Sequence, residues 1–258
     1  IVNLFEVSAA SDERLLPLTL DPITDTNGNG FVDTGETAHD DNSARLNILS
    51  TSGIVEEASI DGNDTLYLSG SLPVTIHPAE PISIDGNDWN MTLAGSDQTP
   101  IELHPSILYG SSIRLDTTAK VVIKIPINNI DTGMTLMRIR QPSDGPLYGY
   151  IVEEEGVDSP QFVIKMNMYF DAPDMDISVA GVISVTHNLH SYPLSVTLKG
   201  PVTFMPDGRL KIDLENVSPV DINVEVVALG LKGGIDMQIG TGDMQVQLFA
   251  DPLHGQKK

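Results

Sequence analysis

The 258-residue chain contains no cysteine. That excludes disulfide staples, zinc–thiolate centres and thiol nucleophiles. Basic residues are scarce as well: 14 Lys and Arg stand against 36 Asp and Glu, a net charge of −22. Nucleic acid and anionic membrane both need a cationic face, so neither is expected as a partner. Aromatic residues make up 5%, with one tryptophan, Trp89. No apolar run approaches the roughly 20 residues of a membrane-spanning helix, and no membrane insertion is expected. Helical periodicity is missing too, since no stretch sustains it over about twelve residues.

What the chain does have is alternation. Phe162–Phe170 alternates apolar and polar residues, and so do Leu194–Lys199, Leu210–Leu214, Ile222–Val227, Ile235–Ile239 and Met244–Phe249. Turn formers such as Pro206-Asp207-Gly208, Lys232-Gly233-Gly234 and Thr241-Gly242-Asp243 separate these runs. Short strands punctuated in this way mark antiparallel sandwiches and barrels. The expected fold class is therefore all-β, an antiparallel sandwich or barrel-like body with an N-terminal strand and a calcium-binding loop. Residues 1–50 are expected to form the strand and loop and residues 51–258 the body, with a possible sub-boundary near 141–160. An internal echo runs through the body: Ser59-Ile60-Asp61-Gly62-Asn63-Asp64 recurs as Ser83-Ile84-Asp85-Gly86-Asn87-Asp88, and His77-Pro78 as His104-Pro105. It reads as a duplicated hairpin or a short stacked β unit. The nine methionines fall at alternating strand positions and read as core filling.

The most informative stretch is Asp25-Thr26-Asn27-Gly28-Asn29-Gly30-Phe31-Val32-Asp33-Thr34-Gly35-Glu36. A hard divalent cation needs several oxygens wrapped round one point. Asp25, Asn27 and Asn29 fall at positions one, three and five of such a wrap, and Gly30 supplies the turn at six. The Phe31 carbonyl falls at seven, Asp33 at nine and Glu36 at twelve. The pattern resembles the EF-hand calcium loop, and more closely the unpaired loops of dockerin-like and thrombospondin-type repeats. The resemblance implies Ca2+ as ligand, with Asp25, Asn27, Asn29, Phe31, Asp33 and Glu36 as its oxygen donors. An Asn/Gly/Asp-rich surface turn is the plainer alternative. No good helix leads into the loop, because Leu18–Thr24 alternates and contains Pro22, and Thr37–Arg45 has room for a short exiting helix at best. With no second copy of the loop, the reading is a structural clip and not a switch.

Cytosolic calcium is too scarce for most single loops of this kind, which places the expected setting outside the cell, secreted or on its surface. The opening residue is Ile1, not Met, which fits a chain trimmed of a signal peptide. Ile1, Val2, Leu4, Phe5 and Val7 make an apolar strand that must pair with a sheet edge, its own or that of a second copy. The first expectation is thus a secreted calcium-binding structural or adhesive surface protein. It would be a homo-oligomer or pilus-like filament subunit joined by strand addition. In general style the chain is similar to secreted bacterial β-rich surface or filament subunits. An extracellular glycan-binding module, with Trp89 as stacking platform, is the alternative. A secreted hydrolase with non-local catalytic residues is the second. No Ser-His-Asp order or nucleophile elbow stands out, so the reading leans away from an enzyme.

Overall fold

The computed structural model describes residues 15–33, 35–77, 99–120, 124–143, 145–173, 185–228 and 230–250. Every regular element among them is a β-strand and every pairing is antiparallel, as the alternation implies. In chain order the strands are β1 (Leu15–Thr19), β2 (Asn42–Arg45), β3 (Asn47–Gly53), β4 (Val55–Ile60), β5 (Thr65–Ile76) and β6 (Thr99–Leu103). Next come β7 (Ser106–Gly110), β8 (Arg114–Lys120), β9 (Lys124–Asp131), β10 (Thr135–Ile139), β11 (Leu147–Val152) and β12 (Gln161–Asp171). The chain closes with β13 (Val185–His187), β14 (Tyr192–Phe204), β15 (Leu210–Asn216), β16 (Val220–Ala228), β17 (Leu231–Ile239) and β18 (Met244–Ala250).

The largest sheet closes on itself into a barrel of eight staves. Long strands form the continuous staves, and short ones share three of the positions end to end. β5 carries β2 and then β1 along one edge, at Thr65–Tyr67 and Ser71–Thr75. Its other edge carries β7 at Leu68–Gly70 and β6 at Val74–Ile76. β12 pairs with β14 over its length, and on the opposite edge with β11 and then β10. β15 and β18 complete the ring, and β1 and β2 both join β18 to β5. Closure leaves few free edge groups, which removes the template for unwanted pairing.

The period of two sorts the side chains by face. Leu68, Ile101, Phe162, Ile164, Leu198, Ile212 and Leu248 point inward and are at most 2% exposed. Burying each such side chain is worth about 1.5–3 kcal/mol. Met137, Met166, Met168 and Met244 join them as core filling. Lys165, Asn167, Glu215 and Gln245 alternate outward and are exposed. A lipid-spanning barrel has the reverse polarity, with an apolar outer band and a polar lumen. No helix among the described residues is long and apolar enough to cross a membrane.

Two smaller sheets stand at one end of the barrel, β13-β16-β17-β3 and β4-β8-β9. They are joined at Gly53, the last residue of β3, two residues before β4 begins, with φ of 62°. A Cβ there would collide with the Lys232 carbonyl oxygen, so the tight passage between the sheets requires glycine. Residues Asn42–Arg45 form a strand and not the end of a short helix, because they bridge β18 and β5. His77 and His104 each follow directly on a strand, β5 and β6, as the echo suggests. Their rings bond Glu102 and Thr75 respectively. Residues 83–88 of the echo's second copy, the assembly strand Ile1–Val7 and Trp89 lie outside the described residues.

Candidate functional site

The loop 25–36 is the excursion between β1 and β2, so it emerges where those two strands share a stave. Its neck is tied by Thr24 N–H donating to the Thr37 carbonyl (2.8 Å) and by a 2.7 Å bond between their hydroxyls. Within it Asp25 accepts from the N–H groups of Gly28 (2.7 Å) and Gly30 (2.8 Å). Both glycines have positive φ, 72° and 82°, the left-handed backbone that lets successive amides face one carboxylate. Asn27 Oδ1 accepts from Asn29 N–H, and Asn29 Oδ1 from Phe31 N–H. The amide Nδ2 groups of Asn27 and Asn29 both donate to Asp33 Oδ2, at 2.9 and 2.7 Å. Glu36 closes the loop by accepting from Thr26 N–H, Thr26 hydroxyl and Asp33 N–H. Those bonds, the Asp33 N–H first, hold its carboxyl below the usual range.

The structure thus brings three of the expected donors, Asn27, Asn29 and Asp33, to one oxygen atom. Asp25 and Glu36 brace the wrap through backbone groups. An Asn amide offers an acceptor as well as donors, so these side chains suit a cation by chemical type. Among the described residues, no three His, Cys, Asp or Glu side chains form a metal-holding group. The oxygen-rich set fits a hard cation only with its amide carbonyls counted.

Gly30 docks the loop on the barrel rim. Its carbonyl accepts from Ser112 N–H at 2.6 Å, and a Cβ on Gly30 would lie 3.2 Å from Met134 Cγ. Phe31 lies under the Arg114 guanidinium, 4.7 Å from centroid to carbon, and Arg114 bonds Asp131 at 3.1 Å. Ser112 and Met134 belong to the two segments that carry the chain from the barrel to β8 and back from β9. Those segments are cross-tied: Ile113 N–H donates to the Thr132 hydroxyl (3.0 Å) and Gly133 N–H to the Ser112 hydroxyl (2.9 Å). The acidic loop therefore sits on the root of the β4-β8-β9 sheet.

Behind that root lies a chamber of about 90 Å³. Its barrel end is formed by Leu66, Met137 and Met244, and its sides by Leu115, Ile130, Val224 and Ile235 from the two facing sheets. Val55, Ala119 and Ala228 line it towards the Gly53 turn. Among the described residues, the polar side chains on the wall are Thr117, Thr132 and Thr135. A larger dry apolar void, about 150 Å³, is known to accept ligands as small as benzene or xenon. The sequence shows Ile222–Val227 and Ile235–Ile239 of this wall as strands but not which sheets face one another, so the chamber escaped sequence reasoning. His187 and His190 stack with ring centroids 4.6 Å apart, and His187 is buried, with Nδ1 accepting from Leu189 N–H and Nε2 bonded to the Pro173 carbonyl.

Fold and site together define a class: a closed antiparallel barrel capped by two small sheets that enclose an apolar chamber. No family model matches the chain, and no solved structure matches it. It is similar to alkane uptake protein B of Marinobacter nauticus, 29% identical over 154 residues. The match covers 53% of this chain and 14% of that protein, so the chain spans a small part of its relative's length.

Proposed function

We propose that this chain is an extracytoplasmic module of a larger protein that handles hydrocarbon, holding part of an aliphatic chain in the chamber between the capping sheets. One observation carries the reading: among the described residues, the chamber wall is apolar apart from three threonines. Such a wall repays transfer of methylenes from water at about 0.8 kcal/mol each and penalises any charged guest. The name of the Marinobacter relative, an alkane uptake protein, supports the same class of ligand. The test is loss of hexane from the headspace above the purified protein. Saturable uptake is expected, reduced when Ala228→Phe fills the chamber while the circular dichroism spectrum is kept. Uptake indifferent to that substitution defeats the reading.

A second reading concerns the acidic loop, and its docking on the sheet root through Gly30 and Phe31 favours it. Here the chain is a calcium-stapled structural or adhesive protein of the cell surface. Asp25, Asn27, Asn29, the Phe31 carbonyl, Asp33 and Glu36 would hold the ion. Bound Ca2+ would neutralise the carboxylates and tie the excursion to the barrel. Calorimetric titration with Ca2+ is expected to show one site, lost in the Asp25→Ala/Glu36→Ala double variant. An unchanged thermal midpoint on adding chelator counts against it.

A further inference from the structure

Asparagine is chemically labile when glycine follows it, because no side chain shields the glycine amide nitrogen from attacking the asparagine side-chain carbonyl. The chain holds two such pairs, Asn27-Gly28 and Asn29-Gly30, and both lie in the acidic loop. They are not placed alike. Asn27 and Gly28 are exposed, and a Cβ on Gly28 would meet nothing within 4 Å, so an imide ring has room there. Gly30 is buried on the barrel rim, with its carbonyl bonded to Ser112 N–H and Met134 beside it. At Asn27 the obstacle is hydrogen bonding. Gly28 N–H, the nucleophile, donates to Asp25 Oδ1 at 2.7 Å, and removing its proton would set an amide anion against a carboxylate. Asn27 Oδ1 is held by Asn29 N–H at 3.0 Å and its Nδ2 by Asp33 Oδ2 at 2.9 Å, so both ends of the side-chain amide are pinned.

We infer that Asn27 is a site of spontaneous deamidation, and that Asp25 holds the reaction back while the loop is folded. In the reaction Gly28 N bonds to Asn27 Cγ, the Cγ–Nδ2 bond breaks, and ammonia leaves with the Gly28 amide proton. Water then opens the imide to aspartate or isoaspartate. The balance is amide plus water to acid plus ammonia, with no redox step. The product has no Nδ2–H to give to Asp33 and sets a second negative charge beside it. The modification therefore undoes one of the bonds that brace the wrap. Asn29 is the slower of the two, because its imide needs Gly30 to leave its seat on the rim.

The test incubates the whole chain in three forms: native, native in urea, and Asp25→Ala. Mass spectrometry of the loop peptide follows conversion of each asparagine to aspartate and isoaspartate. In urea the two asparagines are expected to convert at similar rates. In the native protein both should slow, with Asn27 converting ahead of Asn29. Asp25→Ala is expected to speed Asn27 about tenfold, the worth of one charged hydrogen bond to the attacking nitrogen. Asn29 should respond less, since Gly30 keeps its bond to Ser112. The inference is overturned by an Asn27 that is stable in urea, or that converts as fast in the native protein as in urea. Conversion of Asn29 ahead of Asn27, or no acceleration in a folded Asp25→Ala, overturns it too. Should Asp25→Ala not fold, the native-against-urea rates and the order of the two asparagines decide without it.

Discussion

The barrel and its cap use the same side chains to opposite effect. In the barrel, Ile212, Leu248 and Phe162 come from staves joined in a ring, and their tips meet across a closed interior. In the cap, Ile130, Val224 and Ile235 come from two separate open sheets, and a void remains between them. A ring fixes its radius by strand number and stagger, so side chains are selected to fill it. Two stacked sheets have no such constraint, and their spacing follows whatever stands between them. Residue type alone does not decide whether an interior is core or container; closure does.

That contrast can be broken at graded cost. The largest effect is expected from Ile212→Ala in the barrel, about 2–5 kcal/mol of stability by urea unfolding, since a closed ring cannot collapse onto the hole. Gly149→Ala comes next, at about 1–3 kcal/mol. The new methyl would lie 2.6 Å from the Phe162 ring, in an interior with no slack. In the cap the sign should reverse: Ala228→Val is expected to add about 0.5–2 kcal/mol, because the space is already there. A destabilising result would mean that the cap is packed as tightly as the barrel.

The smallest effect concerns the acidic loop. Glu36 has a lowered pKa, so its contribution is complete above the ordinary glutamate value of about 4.3. It is lost as pH falls through the lower, folded value. Amide exchange of Thr26 and Asp33, whose N–H groups Glu36 accepts, should lose protection in that acid window before the barrel does.

Much of the barrel was legible because each stave repeats one local rule: Leu194, Val196 and Leu198 alternate with Ser195, Thr197 and Lys199, and only one assignment of faces buries them. The twelve-residue loop was legible for the same reason, its glycines and carboxylates being set by local geometry. Pairing was not. Nothing in Leu15–Thr19 announces that it lies beside both β5 and β18, and nothing in Gly53 says that it joins two sheets. The short helix allowed at Thr37–Arg45 gave way to β2, where long-range pairing overrode a weak local preference.

The seam where β1 meets β18 also governs how the molecule is made. Thr19 donates its hydroxyl to the Phe249 carbonyl, a partner 230 residues away. Contacts of such sequence separation form late and make folding slow. Until β18 arrives, β15 on one side and β1 and β2 on the other wait with bare edges, open to pairing with other chains. Protection of the nascent chain should therefore matter most just before its last stave is delivered.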